Sequence, residues 1–273
     1  MASRRRSLDD ISYGLVIGGL AVLALLIMVG PVVVVVITSF TDSRSLKFPP
    51  DAFSLRWYEA LFNADQSALI HRAAWNSLKV AAVSASAACV FGTLAALALA
   101  RRGALWARIL DTAFMSPLVL PTLAYGLAAL MFFTLLGFRL SIELLVLGHI
   151  AVIVPFVLRT TAASLSQLDP AMLDSSSSLG AGPLYTFRRV TLPIIRPGIL
   201  AGTFLAFMAS FDNVPVSLFL ADARTNTLPI RMWGMIESTL DVRTAAVSGV
   251  LIGSTVLSVL VMDRLVGLSR QFR

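Results

Sequence analysis

Six long apolar runs alternate with shorter polar ones along this chain, and their lengths decide the fold class. The first extends over about 11–38 and includes five consecutive valines from 32 to 36. That is enough helix to cross about 30 Å of hydrocarbon with tilt to spare. Further runs at about 73–100, 109–136, 142–165, 199–220 and 244–265 have similar length. The pattern predicts an all-α integral membrane protein with six transmembrane helices, read as a single transmembrane domain over 1–273. A cleaved signal peptide has a shorter apolar core and a small-residue cleavage site, so the first run reads as a retained helix.

Breaks inside the runs carry the next layer of information. Ala88, Gly92, Ala96 and Ala100 recur every four residues and give the second run one smooth face for another backbone; Gly14 and Gly18 have the same spacing in the first. Pro117 and Pro121 predict that the third run is kinked or broken, with the segment from Ser116 to Thr122 as a candidate cavity wall. His149 stands without a second ligand near it, which reads as a hydrogen-bonded packing residue and gives no metal site. Asp212 and Asn213 lie well inside the fifth run, with Pro215 just beyond. A carboxylate in that position costs on the order of 2.5–3.5 kcal/mol on insertion scales, so it faces protein or water. Two uses fit. It is a counter-charge for a cationic solute, with Asn213 and Ser210 as hydrogen-bonding groups, or it pairs with an arginine such as Arg231 or Arg243 near a helix end.

Composition agrees with the pattern: 57% of residues are hydrophobic, 14% are charged, and the mean hydropathy is +0.84. The pI of about 10.5 raises nucleic-acid binding, but no basic patch with interleaved aromatics is present and no nucleic-acid partner is expected. Topology explains the charge instead. With six spans, one side collects Arg4, Arg5, Arg6, Arg101, Arg102, Arg108, Arg159, Arg188, Arg189, Arg196, Arg264, Arg270 and Arg273, thirteen of the 22 cations. The positive-inside rule makes that side, with both termini, cytoplasmic. Cys89 is the single cysteine and forms no internal disulfide. Two polar stretches, about 38–70 and 221–241, fall on the outer side. The first carries Phe53, Trp57, Tyr58 and Phe62, rings suited to anchoring at the membrane surface.

The most informative polar segment lies between the fourth and fifth runs, DPAMLDSSSSLGAGPLYTFRRVTLPIIRP over 169–197. Asp169 and Pro170 make an N-cap and a first helical residue, 171–179 holds about two and a half turns, and Gly180 can take a left-handed stop. Pro183 opens a second short helix carrying Phe187, Arg188 and Arg189, which Pro193 is expected to end. Two short helices with cations on the second form a docking platform; the plain alternative is a polar loop between spans. The chain has no G-x-x-x-x-G-K-[ST] phosphate cradle and no nucleophile–base or metal set, so it is not expected to be an enzyme and must borrow its energy.

The platform resembles the EAA loop of binding-protein-dependent ABC importer permeases: Asp174, Ser175 and Ser176, Gly180 six positions after the acid, and Val190-Thr191-Leu192-Pro193. It departs from the pattern in having Asp for Glu and serines for alanines. TSFTDS and FSLRWYEALF are similar to the family's first outer loop, and SFDNVPVSLFL with TNTLPIRMWGMI resembles the spermidine/putrescine permease branch. The resemblance implies the type I importer fold, with a cytoplasmic coupling helix between spans 4 and 5. It assigns Asp174, Ser175, Ser176, Gly180, Ala181, Phe187, Arg188, Leu192 and Pro193 to ATPase coupling. Asp212, Asn213, Ser210, Ser116 and Pro117 go to the substrate path. It implies an ABC ATPase dimer that uses ATP and Mg, a second homologous permease, an extracytoplasmic binding protein, and a bacterial inner membrane. No cofactor is expected on this chain. Iron, sulfate, thiamine or aminophosphonate are alternative solutes, and an ion-gradient-driven secondary transporter or a purely structural membrane subunit are alternative classes.

Overall fold

The computed structural model describes residues 8–100 and 105–266; of the arginines used for topology, Arg4, Arg5, Arg6, Arg101, Arg102, Arg270 and Arg273 lie outside them. The described residues are almost wholly helical, apart from one isolated bridge between Thr41 and Phe53. The chain divides into two compact units, residues 1–67 with 235–256, and residues 68–234 with 257–273.

In the first unit, α1 (Leu8–Ser39) presents an apolar surface that this chain leaves uncovered. Among the described residues, nothing lies within 4 Å of a Cβ built at Gly18. The loop after α1 is tied to α2 (Arg56–Phe62) by polar and aromatic contacts. Tyr58 Oη and Ser39 Oγ are 2.7 Å apart, and Trp57 Nε1 donates to the Ser43 carbonyl at 3.0 Å. These two rings therefore hold the loop, whereas Phe53 and Phe62 are exposed. Asn63 accepts from the backbone N–H of Asp65 and Gln66 at 3.0 and 3.3 Å. This cap starts the first turn of α3 (Ala64–Ala100), which kinks at Ser67, where the backbone leaves helical geometry, before the long apolar part begins.

The second unit is organised around α6 (Ile142–Leu165). Its cap, Ser141, accepts from Leu144 N–H at 3.4 Å. One face of α6 joins α3 and α9 (Leu192–Phe211) through Ala85, Ala88, Ile153, Val154, Val157 and Ala206. Another joins α3 and α10 (Val214–Leu220) through Val80, Leu145, Val152, Val216 and Leu220. In hydrocarbon, close approach of backbones rather than burial from water holds helices together, and the small residues make it possible. A Cβ at Gly92 would meet Val157 Cβ at 2.8 Å, as the four-residue stripe on α3 predicts.

The third run differs from a simple span. It forms α4 (Leu105–Val119) and α5 (Thr122–Leu135), which bend by 105° at the break. Pro117 stays inside α4; only Pro121, at φ −56° and ψ 121° before α5, makes the break. Among the described residues, five other helices are long and apolar enough to cross a membrane, and the bent pair makes six if it counts as one span. Helices α11 (Leu228–Thr239) and α12 (Arg243–Val266) complete the described chain.

Candidate functional site

Two sites are built from interruptions in helices, and both lie in the second unit. At the first, Asp169 accepts from Ala171 N–H at 2.9 Å and starts α7 (Pro170–Ser178) with Pro170 in its first turn. Gly180 follows with φ +77°, and its N–H donates to the Ser177 carbonyl at 2.9 Å, as a left-handed stop requires. Gly182 leads to α8 (Pro183–Thr186), and the Ser176 and Thr186 hydroxyls, 2.8 Å apart, join the two short helices. Asp174 and Ser175 are exposed on α7. So are Leu179, at 87%, and Leu184, at 71%, with Tyr185 and Met172 beside them. The Arg189 guanidinium sits 6.0 Å over the Tyr185 ring, and Arg188 lines the same shallow pocket. The platform thus presents apolar side chains ringed by one carboxylate, hydroxyls and two cations. Its underside is a cleft of about 390 Å³, where Ala181 and Phe187 meet Leu97, Leu165, Leu168 and Thr191.

The end predicted at Pro193 is not there. After α8 the chain makes a π-helical turn, Phe187–Thr191, in which Leu192 N–H donates to the Phe187 carbonyl, and continues directly into α9. Proline ends a helix because it lacks a donor and its ring crowds the carbonyl four residues back. The wider turn shifts the carbonyls ahead of Pro193, and Pro193 enters α9 within its first two positions. Leu192 and Pro193 are exposed at this junction. The platform's second half is therefore one rod with span 5.

The second site corrects the fifth run. The helix ends at Phe211 rather than continuing to 220: Asp212 closes α9, and Asn213 caps the seven-residue α10 by accepting from Val216 N–H at 2.9 Å. Pro215 in the first turn of α10 favours the restart. Asp212 is exposed, and among the described residues no cation stands within ion-pair distance of it. Arg243 pairs with Asp241 instead, at 2.6 Å. Asn213 is half-buried, with its carbonyl oxygen used in the cap. Ser210, read from sequence as a solute-facing group, is buried, and its Oγ lies 2.8 Å from His149 Nδ1. His149 Nε2 lies 3.1 Å from Ser217 Oγ, so the lone histidine is a packing residue with both ring nitrogens engaged. Ser116 is exposed and donates to the Ala113 carbonyl at 2.8 Å, while Pro117 lines an apolar groove with Phe114, Ile150 and Val154. No hydrogen bond among the described residues joins Ser116 to Asp212 or Asn213.

Sequence reasoning missed a stripe that it had found elsewhere. Gly198, Gly202, Ala206 and Ser210 recur every four residues on α9, and all are buried. A Cβ at Gly202 would meet Val157 Cα at 2.8 Å, and one at Gly198 would meet Ser164 and the Thr160 carbonyl. The spacing rule applied to α3 would have found them.

Comparison with known proteins places this arrangement. Residues 88–271 match the family described as the binding-protein-dependent transport system inner membrane component. The chain belongs to that family. It is an ABC importer permease, a transport subunit rather than an enzyme, set in the inner membrane by several apolar helices and working with an ATPase and a binding protein. An ion-gradient-driven transporter is thereby set aside. The chain is similar to the spermidine/putrescine transport system permease protein PotC of Escherichia coli K12, with 30% identity over 76% of this chain and 77% of that one. It is also 30% identical to the putrescine transport system permease protein PotI of the same strain, over 82% of this chain and 81% of the relative. A subunit in the crystal structure of a bacterial ABC transporter involved in the import of the acidic polysaccharide alginate shares the fold. The TM-score is 0.71 at 15% identity, covering 98% of this chain and 99% of the other.

Proposed function

We propose that this permease imports a polyamine of the spermidine or putrescine type. One observation carries the reading beyond family: the Asp212 carboxylate stands exposed at a break between two helices, with no protein cation beside it among the described residues. An exposed carboxylate without a protein counter-ion attracts a small organic cation, and the Asn213 amide NH₂ adds a hydrogen-bond donor next to it. The names of PotC and PotI point to the same solute class.

The chain pairs with a second homologous permease to enclose the path and receives solute from an extracytoplasmic binding protein. With the α4–α5 pair counted as one span the spans number six, so both termini and the platform share one side, which we take as the cytoplasm. The charge distribution supports this orientation. There, α7 and α8 seat on the ATPase dimer, where ATP and Mg are used. Leu179, Leu184 and Tyr185 supply the contact, with Asp174, Ser175, Ser176 and Arg188 around it. Because α8 runs through the π turn into α9, movement of the platform acts along the rod that ends at Asp212.

The test is uptake into vesicles holding the complete complex, with labelled spermidine and putrescine and with sulfate, thiamine and 2-aminoethylphosphonate as competitors. ATP-dependent uptake of a polyamine, lost at least about tenfold in Asp212→Asn, is expected. Uptake of any of these competitors in place of a polyamine, or full polyamine uptake by Asp212→Asn, would contradict the substrate assignment.

A further inference from the structure

The helical ladder stops at Asp212 and restarts after Asn213, so the ladder alone does not set the angle between α9 and α10. One side chain spans the interruption. His149, 1% exposed on α6, meets Ser210 Oγ through Nδ1 at 2.8 Å and Ser217 Oγ through Nε2 at 3.1 Å. Ser210 precedes Asp212 by two residues, and Ser217 follows Asn213 by four. A neutral imidazole has one N–H and one lone-pair nitrogen, and a hydroxyl can donate or accept, so the three groups satisfy one another in either tautomer.

The surroundings leave little slack. A Cβ at Gly148 would meet Leu220 and, at 3.1 Å, Val216 Cγ1; one at Gly126 of α5 would meet the Pro215 carbonyl at 2.8 Å. Tyr125 Oη donates to the Gly148 carbonyl at 3.3 Å. Helix α10 is thus held between α5 and α6, and the small-residue stripe holds α9 on α6 up to Ser210. His149 is where the two half-helices are referred to one frame.

We infer that His149 is a positioning residue of the transport path, bonding Ser210 and Ser217 on either side of the break so that Asp212 is presented to the solute at a fixed angle. The inference rests on the reading of Asp212 as the solute's counter-charge. An apolar ring of similar volume would fill the space but leave two buried hydroxyls without a partner and the break unpinned. Loss of geometry at the solute site, with platform and seam intact, separates solute movement from ATP hydrolysis.

The experiment measures solute transported per ATP hydrolysed, in the reconstituted complex with the polyamine-loaded binding protein. His149→Phe is expected to lower this ratio about tenfold, and Ser210→Ala and Ser217→Ala about threefold each, with the amount of complex unchanged. His149→Gln, whose amide still reaches a hydroxyl, is expected between wild type and His149→Phe. In an Asp212→Asn background, His149→Phe should add no further loss. If His149→Phe does not assemble, the two serine variants carry the same test. Loss of uptake in Asp212→Asn with a wild-type ratio in the His149 and serine variants overturns this inference alone. Normal uptake by Asp212→Asn overturns it together with the assignment of Asp212.

Discussion

The platform and the Asp212 break are made by the same local device and differ in what surrounds it. Each opens a short helix with an Asx cap, Asp169 or Asn213, and a proline in the first turn. At the platform most residues beyond the cap are exposed, and one side-chain hydrogen bond, Ser176 to Thr186, links α7 to α8. At the break, α10 is wedged against glycines of α5 and α6 and bonded to a buried histidine. Identical chain-interrupting chemistry therefore yields a contact surface where neighbours are absent and a fixed internal angle where they are close. Packing decides the difference, because the caps set only where a helix starts.

That contrast can be broken most severely at the seam. Gly202→Leu drives a side chain into Val157 Cα and Thr160, and overpacking of this kind costs about 1–3 kcal/mol or more. We expect loss of folded protein in detergent, read by size-exclusion profile and thermal melting; a wild-type profile would mean that α9 does not ride on α6. A smaller effect, confined to function, is expected at the platform. Gly180→Val strains a left-handed residue by about 1–2 kcal/mol without removing a packing contact. Uptake should fall severalfold while melting changes by only a few degrees.

Weaker still is the effect of pH on the loop between α10 and α11. The Thr225 hydroxyl, and then the backbone N–H groups of Thr225 and Arg224, hold the Asp222 carboxyl below the usual carboxylate range. A depressed folded pKa means that the stabilisation is complete above the unfolded carboxylate range and is lost as pH falls through the lower folded value. Asp222→Ala should therefore lower the melting temperature slightly at neutral pH and not at strongly acidic pH. An equal shift at both would refute it. The smallest effect is expected for Pro193→Ala: since α9 already runs through this position, stability should change by less than about 1 kcal/mol. A large gain would mean that the proline strains the rod.

The parts legible in the sequence were those governed by neighbours a few residues apart. The α7 cap, the Gly180 stop and the α3 stripe all follow from local spacing and are present. Two local signals were misjudged. Pro193 was read as a stop because a π turn, which depends on where carbonyls shift, leaves no residue signature. Asp212 was placed inside a continuous helix although Asn213 and Pro215 spell a cap and restart. The 105° angle at Pro121 and the role of His149 lay beyond reach for another reason. Ser210 and Ser217 are 61 and 68 residues from His149, and only the folded seam brings them to it.

The most direct test of the whole arrangement is Asp174→Ala in the reconstituted complex, with polyamine uptake and ATP hydrolysis measured on the same vesicles. If the platform transmits work from the ATPase along the α8–α9 rod, uptake falls at least about tenfold while the protein remains assembled in the membrane. Wild-type uptake by that variant would contradict the account.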